Sequence, residues 1–138
     1  MRKCRMILGQ CHIDDRGKLR HNNDFQMDNV KRMYTIENID VDFRRGWKGH
    51  YIESRWFTCS RGAVEIWTTT IENLEKRKNN IVKYLLKADS LDVLEVPPGF
   101  ATLVKQRLAK SIVTVYADYA INTSNDENYR WPNDYIRL

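Results

Sequence analysis

Lys48 and His50 stand two residues apart, directly after Arg45-Gly46, in the stretch RGWKGHYIESRWF at residues 45 to 57. In an extended chain, residues i and i+2 project from one face, so an ammonium and an imidazole here address one spot. His50 is the best candidate base, because an unperturbed imidazole titrates at roughly 6.5, close to working pH. Lys48, with a free pKa of roughly 10.4, is a poor base unless desolvated; as a cation it suits an anionic oxygen. Arg45 can clamp an anionic group in a two-pronged manner that lysine cannot copy, and Arg55, five residues past His50, is a second such candidate. Plainer readings stand beside these. An arginine after a loop is usually solvated, and a lone strand histidine is more often structural than catalytic. Residue types alone leave active site, vestigial metal site and solvated surface open.

The elements that must hold these residues read as β throughout. KCRMILGQCHI predicts a first strand, stopped by the turn Asp14-Asp15-Arg16-Gly17. VKRMYTIEN and HYIESRWFTCS follow, the second ending at Arg61-Gly62. AVEIWTTTI sets Val64, Ile66 and Thr68 on one face and Glu65, Trp67 and Thr69 on the other. ENLEKRKNN predicts a hairpin loop rather than a helix, because its middle lacks apolar spacing. IVKYLLKA and LDVLEV are strands, the latter halted by Pro97-Pro98-Gly99. KSIVTVYADYA alternates Val113 and Val115 against Ile112, Thr114 and Tyr116. The polar tail NTSNDENYRWPNDYIRL predicts at most one helical turn and packing through Tyr129, Trp131 and Tyr135. Many short strands at close intervals imply a sandwich or jelly roll, not βαβ units.

Composition narrows the function classes. The 138 residues suit one domain, residues 1–138, with no linker, repeat or low-complexity region. The net charge of +5 is spread among acids, with one dense cluster at Glu75-Lys76-Arg77-Lys78; nucleic acid is disfavoured and an anionic small molecule is compatible. No apolar run is long enough for a membrane span, and the N-terminal stretch does not read as a signal peptide. Cys4, Cys11 and Cys59 are odd in number and lack CxxC spacing, so neither a disulfide framework nor a zinc knuckle is expected. A reduced, cytoplasmic protein is the expectation. Trp47, Trp56 and Trp67 are expected in packing, and Cys59 as a small buried apolar group.

The early DDRG, the turn-strand RGWKGHYIESRWFTCSRGAVEI, the later VPPGFATLV and the terminal DENYRWPNDYI come in the order found in cupins of nucleotide-sugar metabolism. From about residue 8 onward the chain resembles the dTDP-4-dehydrorhamnose 3,5-epimerase-like group, and within it the single-domain sugar 3,4-ketoisomerases. The resemblance implies an all-β cupin jelly-roll barrel with a short C-terminal extension, a homodimer, and a thymidine-diphosphate 4-keto-6-deoxy sugar as substrate. It implies proton abstraction α to the ketone, with no cofactor. On that barrel His50, Lys48 and Tyr116 are the catalytic candidates, and Arg45, Arg55, Tyr34 and Asp118 the substrate-binding ones. Two departures stand out. The relatives read Arg-Gly-x-His-x-His where this chain has Lys48, and many cupins carry a histidine where this chain has Thr102. Of a cupin metal set only His50 and Glu53 remain, and neither an ammonium nor a threonine replaces the rest, so no bound transition metal is expected. The alternative is a degenerate cupin that binds a sugar nucleotide or a partner without turnover; a non-sugar cupin sensor is more remote.

Overall fold

Alternation of apolar and polar residues turns each strand into a two-faced ribbon, and two sheets built of such ribbons bury their apolar faces against one another. The computed structural model describes residues 2–121 and 128–137. One sheet has the order β1-β9-β6-β11-β4, from strands β1 (Arg5–Ile7), β4 (Arg32–Ile36), β6 (Arg55–Arg61), β9 (Val93–Val96) and β11 (Ile112–Ala117). The other has the order β12-β5-β10-β7-β8, from β5 (Arg44–His50), β7 (Ala63–Thr70), β8 (Val82–Lys87), β10 (Phe100–Gln106) and β12 (Tyr129–Arg130). Every pairing is antiparallel. This is the expected double-sheet jelly roll.

Between the sheets lie Phe57, Cys59, Val64, Ile66, Leu86, Leu94, Val104, Val113 and Val115, all buried. Val64 and Ile66 share one face, as expected, and that face is the inward one; Cys59 is fully buried. A second apolar cluster sits on the outer face of the second sheet: Trp47, Trp67, Ala101 and Leu103 are covered by Ile71 and Leu74 of α1 (Ile71–Glu75) and by Trp131, Tyr135 and Ile136 of the tail. The tail thus packs through two of the three aromatic rings expected to do so, while Tyr129 is exposed and meets Tyr51 edge-on at 5.1 Å.

Several sequence expectations are corrected, among them HYIESRWFTCS, which is not one strand but is broken at 51–54 between β5 and β6. KCRMILGQCHI is broken at Gly9 into β1 and β2 (Gln10–Asp14), and β2 pairs with β3 (Gly17–His21) as a hairpin apart from both sheets. The link between β7 and β8 is not all loop: Thr70 caps a one-turn helix by accepting a hydrogen bond from the Asn73 amide at 3.1 Å. The described part of the tail has a two-residue strand, β12, and no helical turn; residues 122–127, which include Asp126 and Glu127, lie outside the described residues. No helix among the described residues is long and apolar enough to cross a membrane.

Candidate active site

Cross-strand partners in a sheet share a face. Phe100 lies opposite His50, Thr102 opposite Lys48, and Val104 opposite Arg45. Val104 belongs to the inter-sheet core, so all three β5 side chains face the barrel interior. Spacing alone would put Arg45 outside, since it is an odd number of residues from Lys48. A β-bulge between Thr102 and Val104 inserts one extra β5 residue and returns Arg45 to the inner face. The bulge includes Gly46, where an added Cβ would meet the Leu103 Cβ at 2.6 Å. Arg130 of β12 pairs with Lys48 from the other side and joins it on the same face.

These residues wall a cavity of about 270 Å³, close to the lower end of ligand-pocket sizes. Its lining includes Arg45, Lys48, Arg130, Thr102, and, from the opposite sheet, Tyr34 and Arg55. Four cations therefore converge on one interior space. Arg55 is only 4% exposed. It donates to Glu53 Oε2 at 2.9 Å and to the Tyr34 hydroxyl. Arg32 reaches Glu53 Oε1 at 3.7 Å, and both guanidinium groups stack near the Tyr34 ring, at 5.3 and 5.6 Å from its centroid.

His50 sits beside the cavity rather than on its wall. It is buried, with Nδ1 3.2 Å from Glu53 Oε2. One buried carboxylate thus meets an imidazole and two guanidinium groups, the arrangement that offsets the desolvation of Glu53 and fixes the orientation of the ring. The Pro97-Pro98-Gly99 turn closes this end: Gly99 N donates to the His50 carbonyl at 2.7 Å, and Gly99 takes a φ of +93° that suits glycine.

Lys48 is half-buried, and its pKa is drawn from an ordinary 10.5 to about 8. Desolvation is the largest cause, followed by repulsion from Arg55, Arg130 and Arg32, with Glu53 opposing. Burial raises the Tyr34 phenol, against the pull of Arg55 and Arg32, so the hydroxyl keeps its proton and can donate it.

Besides His50, two further candidates do not line this cavity. Tyr116 shares the outer face of β11 with Ile112 and Thr114, because Val113, Val115 and Ala117 take the inner one; its ring packs on Phe25 at 5.4 Å, next to Trp56. Asp118 lies past the strand end, where its Oδ1 accepts from the Ser54 amide at 2.9 Å; burial is the main cause that raises its pKa. It braces the loop that carries Glu53 rather than lining the cavity. Sequence reasoning passed over Arg32 and Arg130. Arg32 precedes Tyr34 by two residues in β4, and the same-face rule identifies it; Arg130 had no such signal, since only the pairing of the tail strand brings it in.

The fold is that of the cupin jelly rolls, and its structural neighbours are dTDP-sugar 3,4-ketoisomerases and dTDP-4-dehydrorhamnose 3,5-epimerases. A sugar 3,4-ketoisomerase from Thermoanaerobacterium thermosaccharolyticum, solved with TDP-4-keto-6-deoxyglucose, superposes with a TM-score of 0.74 at 20% identity, covering 99% of this chain and 93% of that one. A dTDP sugar isomerase from Desulfovibrio desulfuricans gives 0.77 at 16% identity, over 98% and 88%. The dTDP-4-dehydrorhamnose 3,5-epimerase from Bacillus anthracis gives 0.72 at 17% identity, over 92% and 77%. No family model matches the sequence, and no curated protein does.

Proposed function

We propose that the chain is an isomerase or epimerase of a nucleotide-diphosphate-linked 4-keto-6-deoxyhexose, working by proton abstraction α to the ketone without a metal. The observation that carries this reading is the convergence of Arg45, Lys48, Arg55 and Arg130 on one interior cavity beside the His50–Glu53 pair. The fold is shared with proteins crystallised with TDP and with TDP-4-keto-6-deoxyglucose, which supports the substrate class.

In the proposed reaction Arg45 and Arg130 take the diphosphate, where guanidinium groups give planar, two-pronged contacts. Lys48 faces the C4 oxygen and balances the charge that grows there as the enolate forms. His50, oriented by Glu53, is the base. Two strand positions, roughly 6.6 Å of chain, separate it from Lys48, which suits a hydrogen on the ring carbon next to C4. Tyr34 is the proton donor.

Titration of the protein with TDP, and hydrogen exchange of the keto sugar, test these roles. His50→Ala should abolish exchange at the ring carbons and keep TDP affinity within a few-fold. Arg45→Ala should weaken TDP by about tenfold or more, the loss of roughly 1.4 kcal/mol or more. Loss of TDP binding in His50→Ala with exchange retained in Arg45→Ala would reverse the assignment. A stoichiometric transition metal in protein purified without chelator would contradict the metal-free mechanism.

A further inference from the structure

We propose that Lys48 is a nucleophile that closes an imine with the C4 carbonyl of the keto sugar, instead of only balancing charge at its oxygen. This rests on the substrate class proposed above. The cavity holds three arginines that remain cations at any working pH, so anion binding does not require a fourth positive charge. Lys48 is the one amine among the described residues that line it. Among the described residues no carboxylate lies within 4 Å of its ammonium, whereas Glu53 is already engaged by Arg32, Arg55 and His50. The groups that bear on Lys48 are the cations Arg32, Arg45, Arg55 and Arg130, the carboxylate Glu53, the His50 imidazole two residues along the strand, and the Tyr34 phenol across the cavity. Cations outnumber anions there, and burial adds to them. The amine pKa of about 8 leaves about a tenth of the side chain neutral at pH 7.

The chemistry balances without an outside reagent. The Nζ lone pair adds to C4, the carbonyl electrons move to oxygen, and the proton lost from nitrogen is taken up at that oxygen. The resulting carbinolamine loses its hydroxyl as water, with a proton from Tyr34, and leaves a protonated imine. That imine acidifies the hydrogens on C3 and C5; the base removes one to give an enamine, and a proton returns to the same carbon on either face. Water then hydrolyses the imine and restores both the ketone and the amine. The route also discriminates between reactions. Reprotonation of the C3 enaminol at C4 would leave Lys48 joined to sugar by a C–N single bond, beside a C3 ketone, and hydrolysis would not free it. Imine chemistry therefore turns over for epimerisation at C3 or C5, and not for 3,4-ketoisomerisation.

Sodium cyanoborohydride with TDP-4-keto-6-deoxyglucose tests this on the full chain. The expected result is one covalent adduct per chain, heavier by the substrate less one oxygen atom, that maps to the peptide carrying Lys48. Its rate of formation should rise with pH and level off above about 8. Lys48→Arg should form no adduct while it still binds TDP. Deuterium exchange at C3 or C5 without an adduct overturns the imine and leaves the proposed function standing. An adduct on another lysine, or equal trapping in Lys48→Arg, also overturns it. TDP binding with neither exchange nor adduct overturns the imine and favours a non-catalytic cupin; no TDP binding at all, with neither signal, overturns the proposed function as well.

Discussion

Lys48 and Glu53 set the chemistry of the cavity from opposite directions. Glu53 is 3% exposed, and the two guanidinium groups and the imidazole that surround it offset its desolvation. Lys48 has the reverse situation: same-sign neighbours and a half-buried position push it toward the neutral amine. The linkage to stability follows. Between about 8 and 10.5 the unfolded chain keeps a proton on Lys48 that the folded chain has lost, so the unfolded state binds more protons and stability rises with pH across that window. Urea unfolding at pH 7, 8, 9 and 10 should show that rise in the wild type, and Lys48→Met should lack it. Equal slopes in the two proteins would mean that the site leaves the lysine at its ordinary value. Lys48 and His50 were legible from type and same-face spacing, Arg45 and Arg55 from type alone, and Tyr34 only from the barrel that the resemblance implied. Arg130 was not, since its place depends on a pairing between β5 and the tail that no local pattern encodes.

At the scale of elements, strand alternation was readable and its faces were readable too, but the irregularities were not. Val113 and Val115 in β11 announce which face is inward, and that alternation already places Tyr116 outside; the apolar face is the one that the barrel buries. Arg45 shows the opposite case, in which simple parity fails because a bulge adds a residue. The one-turn helix at Ile71–Glu75 is too short to show a period of 3.6, so only Thr70, as a capping side chain, marks it. Gly46→Ala tests the bulge. A methyl that meets Leu103 at 2.6 Å forces the β5–β10 pairing apart, and such overpacking costs about 1–3 kcal/mol. TDP affinity should fall by more than that of a Leu103→Ala control, because Arg45 is re-aimed; unchanged affinity in a folded Gly46→Ala protein would show that Arg45 does not bind the nucleotide.

For the whole molecule, one feature of the single chain asks for a second copy. The β2–β3 hairpin stands apart from both sheets and exposes Ile13 and Leu19, with Leu8 at its base, each more than 60% accessible. An isolated two-stranded hairpin is marginal in water, so we propose that it is covered in a homodimer. Sedimentation at micromolar concentration should give twice the 16.4 kDa chain mass, and Ile13→Lys with Leu19→Lys should shift the species to monomer; a monomeric wild type would sink the proposal. The barrel itself brings to one interior the cations and the buried imidazole that the sequence scatters over nearly 100 residues. The claim that this interior performs proton transfer is tested most directly by incubating the protein with TDP-4-keto-6-deoxyglucose in deuterated water and reading the sugar by NMR. Deuterium at C3 or C5, absent in His50→Ala, is the predicted result; bound sugar nucleotide with every ring hydrogen retained would contradict it.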